Sequence, residues 1–119
     1  MKKTIKSLGY ASRGVGIILR EGRNIKIYLF IIALSVLLGF SLGISTSEWL
    51  VLLICFGLVL SAEAFNTSLE HTLDCVSRDH REDIKDAKDV AAGAVLLAAI
   101  ANIIAVVIIF LPKIIKMLV

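Results

Sequence analysis

The chain has 119 residues, enough for one domain, and 58% of them are hydrophobic, whereas soluble domains contain about 45–50%. The mean hydropathy is +0.90, and the formal net charge at pH 7 is +3. This composition excludes an ordinary soluble globular protein. It predicts a single all-α domain, residues 1–119, that is integral to a membrane.

Residues 1–24 are predicted to form an amphipathic helix on the membrane surface. On a helical projection its apolar side chains and its cations occupy different arcs: Ile5, Leu8, Val15 and Leu19 in one, Lys2, Lys6, Arg13 and Arg20 in the other. Such a helix lies in the headgroup layer, where anionic lipids attract its cations. Gly9, Gly14 and Gly16 weaken it, which predicts either a broken helix or a helix that another group approaches closely. A basic leader that only sets topology is the alternative.

Three apolar segments are predicted to cross the membrane: residues 25–43, 49–65 and 90–111. A spanning helix needs about 20 residues for about 30 Å of hydrocarbon, so the first two are at the short end. Basic residues are dense before the first segment and in the loop 66–89, whereas the connection ISTSE has none. By the positive-inside rule, the N-terminus and the 66–89 loop are expected in the cytoplasm.

An acidic stripe follows the second apolar segment. Glu63, Asn66, Glu70 and Asp74 have helical spacing and fall within an arc of about 80°. Glu63 comes after a long uncharged run, so it lies at the membrane boundary, where a carboxylate costs a few kcal/mol and usually marks a functional site. We interpret Glu63 as a general base. The structural alternative is an ion pair of Glu63 with Arg23 or Lys88.

The charged run RDHREDIKDAKD, residues 78–89, places like charges four residues apart, which helical pairing does not favour. This spacing suggests a cluster that binds an ion or a polyanion. Lys88 and Asp89 stand just before the third apolar segment, where a cation can meet phosphate and a carboxylate can hold a metal or a hydroxyl. The phosphate loop G-x-x-x-x-G-K-[ST] does not occur in the sequence.

The third apolar segment carries a stripe of small residues at helical spacing: Ala94, Ala98, Ala101 and Ala105. Such stripes let transmembrane helices approach closely. Because three short helices are too few to enclose a polar site, a homo-oligomer is predicted. Asn102, beside the stripe, is interpreted as an interhelical hydrogen-bond partner.

The stretches EAFNTSLEHTLD and AKDVAAGAVLL resemble the signatures E-x-x-N-[ST]-x-[IL]-E-x-x-x-D and A-K-D-x-x-[AS]-[AG]-A-V of the small bacterial integral-membrane diacylglycerol kinase and undecaprenol kinase family. The resemblance covers nearly the whole chain and includes GRNIKIYL and FLPK. It implies a homotrimer of three-span chains in the bacterial inner membrane, with active sites at the cytoplasmic interface between subunits. It also implies transfer of the γ-phosphate of Mg-ATP to a lipid hydroxyl, and no nucleic-acid partner.

The resemblance also assigns residues by motif position. Glu63 matches the general base, which meets the lipid hydroxyl, and Ala92 matches a lipid-contacting position. Glu70 matches a carboxylate that binds Mg²⁺. The residues implied to bind ATP are Tyr10, Glu21, Asn66, Glu70, Asp79, His80, Arg81, Lys88 and Asp89.

The stretch EGRN departs from the family pattern. The second metal carboxylate of the family usually stands two residues before the asparagine, a position that is Gly22 here, and the acid lies one step earlier at Glu21. A one-residue slip turns a helical side chain by about 100°, so Glu21 can replace it only if the helix is locally rewound. Glycine at position 22 permits such a change. Glu21 is therefore expected to be the second metal ligand.

The form of AKDVAAGAV, with EAFNT and FLPK, resembles the undecaprenol kinase branch more than the diacylglycerol kinase branch. We therefore expect undecaprenol as the acceptor, with diacylglycerol as the alternative. A more distant alternative is a small non-catalytic membrane protein whose acidic helix is a docking face. An ion-pathway role of Glu63 has little support, because inverted repeats and broken helices are not evident in the sequence.

Overall fold

The computed structural model describes residues 1–79 and 81–119, and this part of the chain forms four helices. They are α1 (Lys2–Glu21), α2 (Ile25–Leu42), α3 (Thr46–Val76) and α4 (Glu82–Leu118). α2, α3 and α4 are each long and apolar enough to cross a membrane. The all-α fold with three candidate spans and an N-terminal helix, predicted from the sequence, is therefore confirmed.

α1 is one continuous helix of 20 residues with no buried side chain among them. A break at its glycines, one of the two alternatives, is therefore not observed. The helix ends at Gly22, whose backbone N–H donates to the carbonyl of Ile18 at 2.8 Å. The chain leaves the helix there, because Gly22 has φ −58° and ψ 126°. Two residues later Asn24 precedes the first turn of α2.

The turn between α2 and α3 consists of a left-handed glycine followed by a helix cap. Gly43 adopts the left-handed conformation, with φ 63° and ψ 54°, which glycine accepts without steric cost. Ser45 and Glu48 then form a reciprocal capping box that starts α3. At the same end of the bundle Gly39 lets the ring of Trp49 approach, since a Cβ on Gly39 would lie 2.5 Å from a ring carbon.

The connection predicted over residues 66–89 consists mostly of helix. α3 continues to Val76 and α4 begins at Glu82, so the chain reverses within residues 77–81. The acidic stripe of the sequence therefore lies on a regular helix, as its spacing requires.

Two apolar clusters hold the helices together. One is at the α2–α3 turn and contains Ile44, Leu52, Phe56, Ile109 and Phe110. The other lies nearer the start of α2 and contains Tyr28, Val59, Val95 and Ala98. Many large apolar side chains remain exposed outside the clusters, as expected for helices whose solvent is lipid.

Candidate active site

A cavity of about 130 Å³ lies where the start of α2 meets α3 and α4. Its polar lining residues are Arg23, Asn24, Tyr28, Glu63 and Asn66, and its other lining residues are Ala92, Val95, Leu96 and Ala99. The cavity joins the polar loop before α2 to the apolar interior of the bundle. Three residues of the predicted site, Glu63, Asn66 and Ala92, are thus brought together.

Glu63 is the most buried acid of the described chain, with 1% of its surface exposed. Its Oε1 accepts a hydrogen bond from the backbone N–H of Asn24 at 3.3 Å. Its Oε2 is buried and has no hydrogen-bond partner among the described residues. A carboxylate oxygen in this state can accept a hydrogen bond, or a proton, from a donor that enters the cavity.

The structural alternative for Glu63, an ion pair with Arg23 or Lys88, is not observed in the described chain. Arg23 pairs instead with Glu70, at 2.9 Å, and Lys88 pairs with Asp74, at 2.8 Å. These cations therefore neutralise two other members of the acidic stripe and leave Glu63 without a charged partner.

Asn66 lies one turn after Glu63 on α3 and is 4% exposed. Its Nδ2 donates to Oε1 of Glu70 at 3.4 Å. Its Oδ1 is buried and, like Oε2 of Glu63, has no hydrogen-bond partner in the described part of the chain. The amide therefore connects the cavity to the carboxylate that the resemblance assigns to the metal.

The two predicted metal ligands lie at the same corner between α1 and α3. Glu21 pairs with Nε2 of His71 at 2.9 Å, and Glu70, the neighbour of His71 in sequence, pairs with Arg23. Residues 1–79 and 81–119 contain no group of three or more His, Cys, Asp or Glu side chains placed to hold a metal. Mg²⁺ is commonly bound by one or two carboxylates together with substrate phosphates, and two carboxylates fit that donor set.

Gly22 lies directly against Glu63. A Cβ at this position would be 2.7 Å from the carbonyl oxygen of Ile18, 3.1 Å from Cβ of Ile25 and 3.4 Å from Cγ of Glu63. Glu21, one residue earlier, points to His71 instead. The family pattern has a carboxylate at the position of Gly22, and a side chain there would point toward Glu63. The carboxylate of Glu21 points in a different direction, toward His71.

Two ion pairs lie within the charged run after α3. Arg81 holds Asp83 through two hydrogen bonds, at 2.7 and 3.2 Å, and Lys85 holds Asp89 at 2.7 Å, four residues along α4. Arg81 and Lys85, which are like charges four residues apart, therefore each have an oppositely charged partner, two and four residues away respectively. The interpretation of this run as a site for an ion or a polyanion stays a prediction.

Among the described residues, the others that the resemblance assigns to ATP do not line the cavity. Tyr10 is 72% exposed on α1, the backbone N–H of Asp79 donates to Ser77 Oγ, and Lys88 reaches Asp74. His80 lies outside the described residues. These assignments stay predictions.

Sequence reasoning missed two lining residues, Asn24 and Tyr28. The contribution of Asn24 is a backbone N–H, which no side-chain pattern reveals. Tyr28 had a signal, because it is a polar aromatic residue four positions after Asn24 on the same helix face, inside an apolar run. His71 was also missed, although it follows Glu70 directly in the acidic stripe.

The amino-acid sequence is similar to those of known proteins along most of its length. The family described as prokaryotic diacylglycerol kinase matches residues 9–110. An undecaprenol kinase of Bacillus subtilis is 34% identical over 113 residues, which cover 95% of this chain and 92% of that protein. A diacylglycerol kinase of Synechocystis sp. is 36% identical over 114 residues, which cover 95% of this chain and 65% of that protein. With its three candidate spans and a buried carboxylate at their polar end, the chain belongs to the prokaryotic diacylglycerol kinase family and is an integral-membrane lipid kinase.

Proposed function

We propose that this kinase transfers the γ-phosphate of Mg-ATP to the hydroxyl of undecaprenol and so makes undecaprenyl phosphate. The observation that carries the proposal is Oε2 of Glu63, a buried carboxylate oxygen without a partner in a cavity with an apolar wall. A lipid alcohol has one hydroxyl proton and an apolar chain, which match these two properties of the cavity.

In the proposed reaction the alcohol hydroxyl donates its proton to Oε2 of Glu63. The alcohol oxygen then forms a bond to the γ-phosphorus, and the bond between that phosphorus and the β,γ-bridging oxygen breaks, so ADP leaves with the electron pair. The Asn24 N–H on Oε1 fixes the orientation of the base. General-base assistance of this kind contributes about 10²- to 10⁴-fold in rate.

The carboxylates of Glu21 and Glu70 would hold Mg²⁺, which when bound neutralises the charge of the ATP phosphates. Both carboxylates now have cationic or imidazole partners, so we propose that Arg23 and His71 shift when nucleotide binds. Lys88 supplies a further cation, in exchange for its contact with Asp74.

The choice of undecaprenol over diacylglycerol is supported by the Bacillus subtilis relative, which aligns along 92% of its length. Diacylglycerol is the second candidate, because the Synechocystis relative is named a diacylglycerol kinase. We also propose a homotrimer whose N-terminus and active site face the cytoplasm. The small-residue stripe of α4 and the distribution of basic residues support that arrangement.

The test uses purified protein in lipid nanodiscs with Mg-ATP labelled at the γ-phosphate, and undecaprenol and diacylglycerol in competition. We expect label mainly in undecaprenyl phosphate. Label in phosphatidic acid alone would replace the proposed substrate, and label in neither lipid would overturn the proposed function. Native mass spectrometry of the same sample is expected to show a trimer.

A further inference from the structure

Tyr28 is a polar side chain in the apolar part of the cavity. It is 9% exposed, and its ring packs in the cluster with Val59, Val95 and Ala98. It also lines the cavity of Glu63 and Asn66. A buried phenol usually finds a hydrogen-bond partner for its hydroxyl, and the surroundings of this ring are mostly apolar.

Its place on α2 indicates where the hydroxyl lies. Tyr28 is one helical turn beyond Asn24, about 6 Å deeper into the apolar bundle. Long side chains on a helix point back toward its N-terminus, which for α2 is the end where Asn24 meets Glu63. The ring is therefore expected to lie deeper in the bundle than Glu63, with its hydroxyl directed toward the cavity that both residues line.

Among the described residues, the buried acceptors of this cavity that lack a hydrogen-bond partner are Oε2 of Glu63 and Oδ1 of Asn66. An entering alcohol brings one proton, which the base requires, and an oxygen that can accept a hydrogen bond. Tyr28 is the hydroxyl donor among the cavity's described lining residues. It is therefore suited to bind the alcohol oxygen while the alcohol proton faces Glu63.

We propose that Tyr28 positions the acceptor alcohol: its hydroxyl donates a hydrogen bond to the alcohol oxygen, beside Glu63. This inference rests on the proposed lipid-kinase reaction and adds a substrate contact to it. The phenol keeps its proton throughout. The alcohol proton goes to Glu63, and the oxygen lone pair that remains faces the γ-phosphorus.

The first test is Tyr28→Phe, which removes the hydroxyl and keeps the ring. We expect kcat/KM for undecaprenol to fall about five- to tenfold, as for loss of one hydrogen bond. KM for ATP and the slow hydrolysis of ATP by water are expected to stay unchanged. Ser41→Ala, which removes an exposed hydroxyl from the same helix, is the matched control and is expected to behave as wild type.

Equal losses in lipid phosphorylation and in ATP hydrolysis would overturn the inference, because they indicate a hydroxyl that only supports Glu63 or the fold. Unchanged kinetics in Tyr28→Phe would overturn it as well.

A second measurement does not depend on catalysis. The sequence has two tyrosines, so protein labelled with 3-fluorotyrosine gives two ¹⁹F signals, and Tyr28→Phe identifies one of them. In phosphatidylglycerol nanodiscs without ATP, we expect undecaprenol to shift the Tyr28 signal and the matching polyprenyl hydrocarbon without a hydroxyl to leave it in place.

The outcomes separate the two proposals. If the protein phosphorylates undecaprenol but the alcohol does not shift the ¹⁹F signal of Tyr28, this inference alone is overturned. A protein that phosphorylates neither lipid but shows the alcohol-specific shift would overturn the proposed reaction and retain the alcohol contact of Tyr28.

Discussion

The backbone N–H of Asn24 donates a hydrogen bond of 3.3 Å to Oε1 of Glu63. The loop between α1 and α2 therefore fixes a carboxylate on α3, 39 residues further along the chain. Oε1 is held by the backbone, and Oε2 is buried without a hydrogen-bond partner among the described residues. In the proposed reaction this division lets the side chain stay oriented while Oε2 accepts the proton.

Glu63→Gln tests that role. Glutamine is close to isosteric and its amide oxygen can still accept from Asn24, but the side chain is not a base at neutral pH. We expect kcat for lipid phosphorylation to fall about 10²- to 10⁴-fold, with little change in ATP affinity. Steady-state phosphorylation assays and equilibrium binding of a fluorescent ATP analogue measure the two quantities.

Glu82→Gln is the matched control for that substitution. Glu82 is exposed in the first turn of α4 and lies outside the cavity, so its loss of charge is expected to leave kcat within about twofold. If Glu63→Gln kept more than a tenth of the wild-type kcat, Glu63 would not be the base.

Gly22→Ala tests the close approach at the loop. The added Cβ would lie 2.7 Å from the carbonyl oxygen of Ile18 and 3.4 Å from Cγ of Glu63, so the backbone must shift. We expect destabilisation by about 1–3 kcal/mol together with lower activity, because the same loop holds Glu63. Thermal unfolding in detergent measures the stability.

Gly9→Ala is the comparison for Gly22→Ala. Gly9 lies within α1, and a Cβ there meets no atom within 4 Å. Alanine in a helix interior is expected to stabilise by about 0.5–1 kcal/mol. A Gly22→Ala protein as stable as wild type would show that the loop accommodates a side chain without displacement.

The sequence predicted the fold and singled out Glu63 for the same physical reason, which is that charge is costly in hydrocarbon. The long apolar runs required helices, and Glu63 stood out because it ends such a run. The three-residue spacing between Glu63 and Asn66 also predicted that the two side chains share one face of a helix, and both line one cavity of the structure.

The partners of the charged residues were harder to predict, because they depend on tertiary geometry. Arg23 reaches Glu70 across 47 residues, and the pair of Lys88 with Asp74 depends on the reversal at residues 77–81. The pair of Lys85 with Asp89 is different. Its four-residue spacing is the one that favours ion pairs on a helix, so this pair could have been predicted from the sequence.

Lys88→Met tests the proposed phosphate contact. Methionine keeps an unbranched side chain of similar length but has no positive charge. We expect KM for ATP to rise about tenfold, since a charge-assisted hydrogen bond contributes about 1.5–3 kcal/mol, while KM for undecaprenol stays within twofold. Lys116→Met, in the last turn of α4, is the control. An equal rise of both KM values in Lys88→Met would point to a structural role of its pair with Asp74.

The side chain of Glu21 contacts Nε2 of His71 at 2.9 Å. If Glu21 holds Mg²⁺ in place of the carboxylate that is missing at Gly22, Glu21→Gln is expected to raise the Mg²⁺ concentration for half-maximal activity about tenfold. His71→Gln removes the partner of Glu21 but keeps its carboxylate, so the Mg²⁺ requirement is expected to stay the same or to fall. Titration of activity with Mg²⁺ at saturating ATP measures both variants. If Glu21→Gln had the Mg²⁺ dependence of wild type, Glu21 would be a partner of His71 alone, and Glu70 would be the remaining carboxylate proposed to hold Mg²⁺.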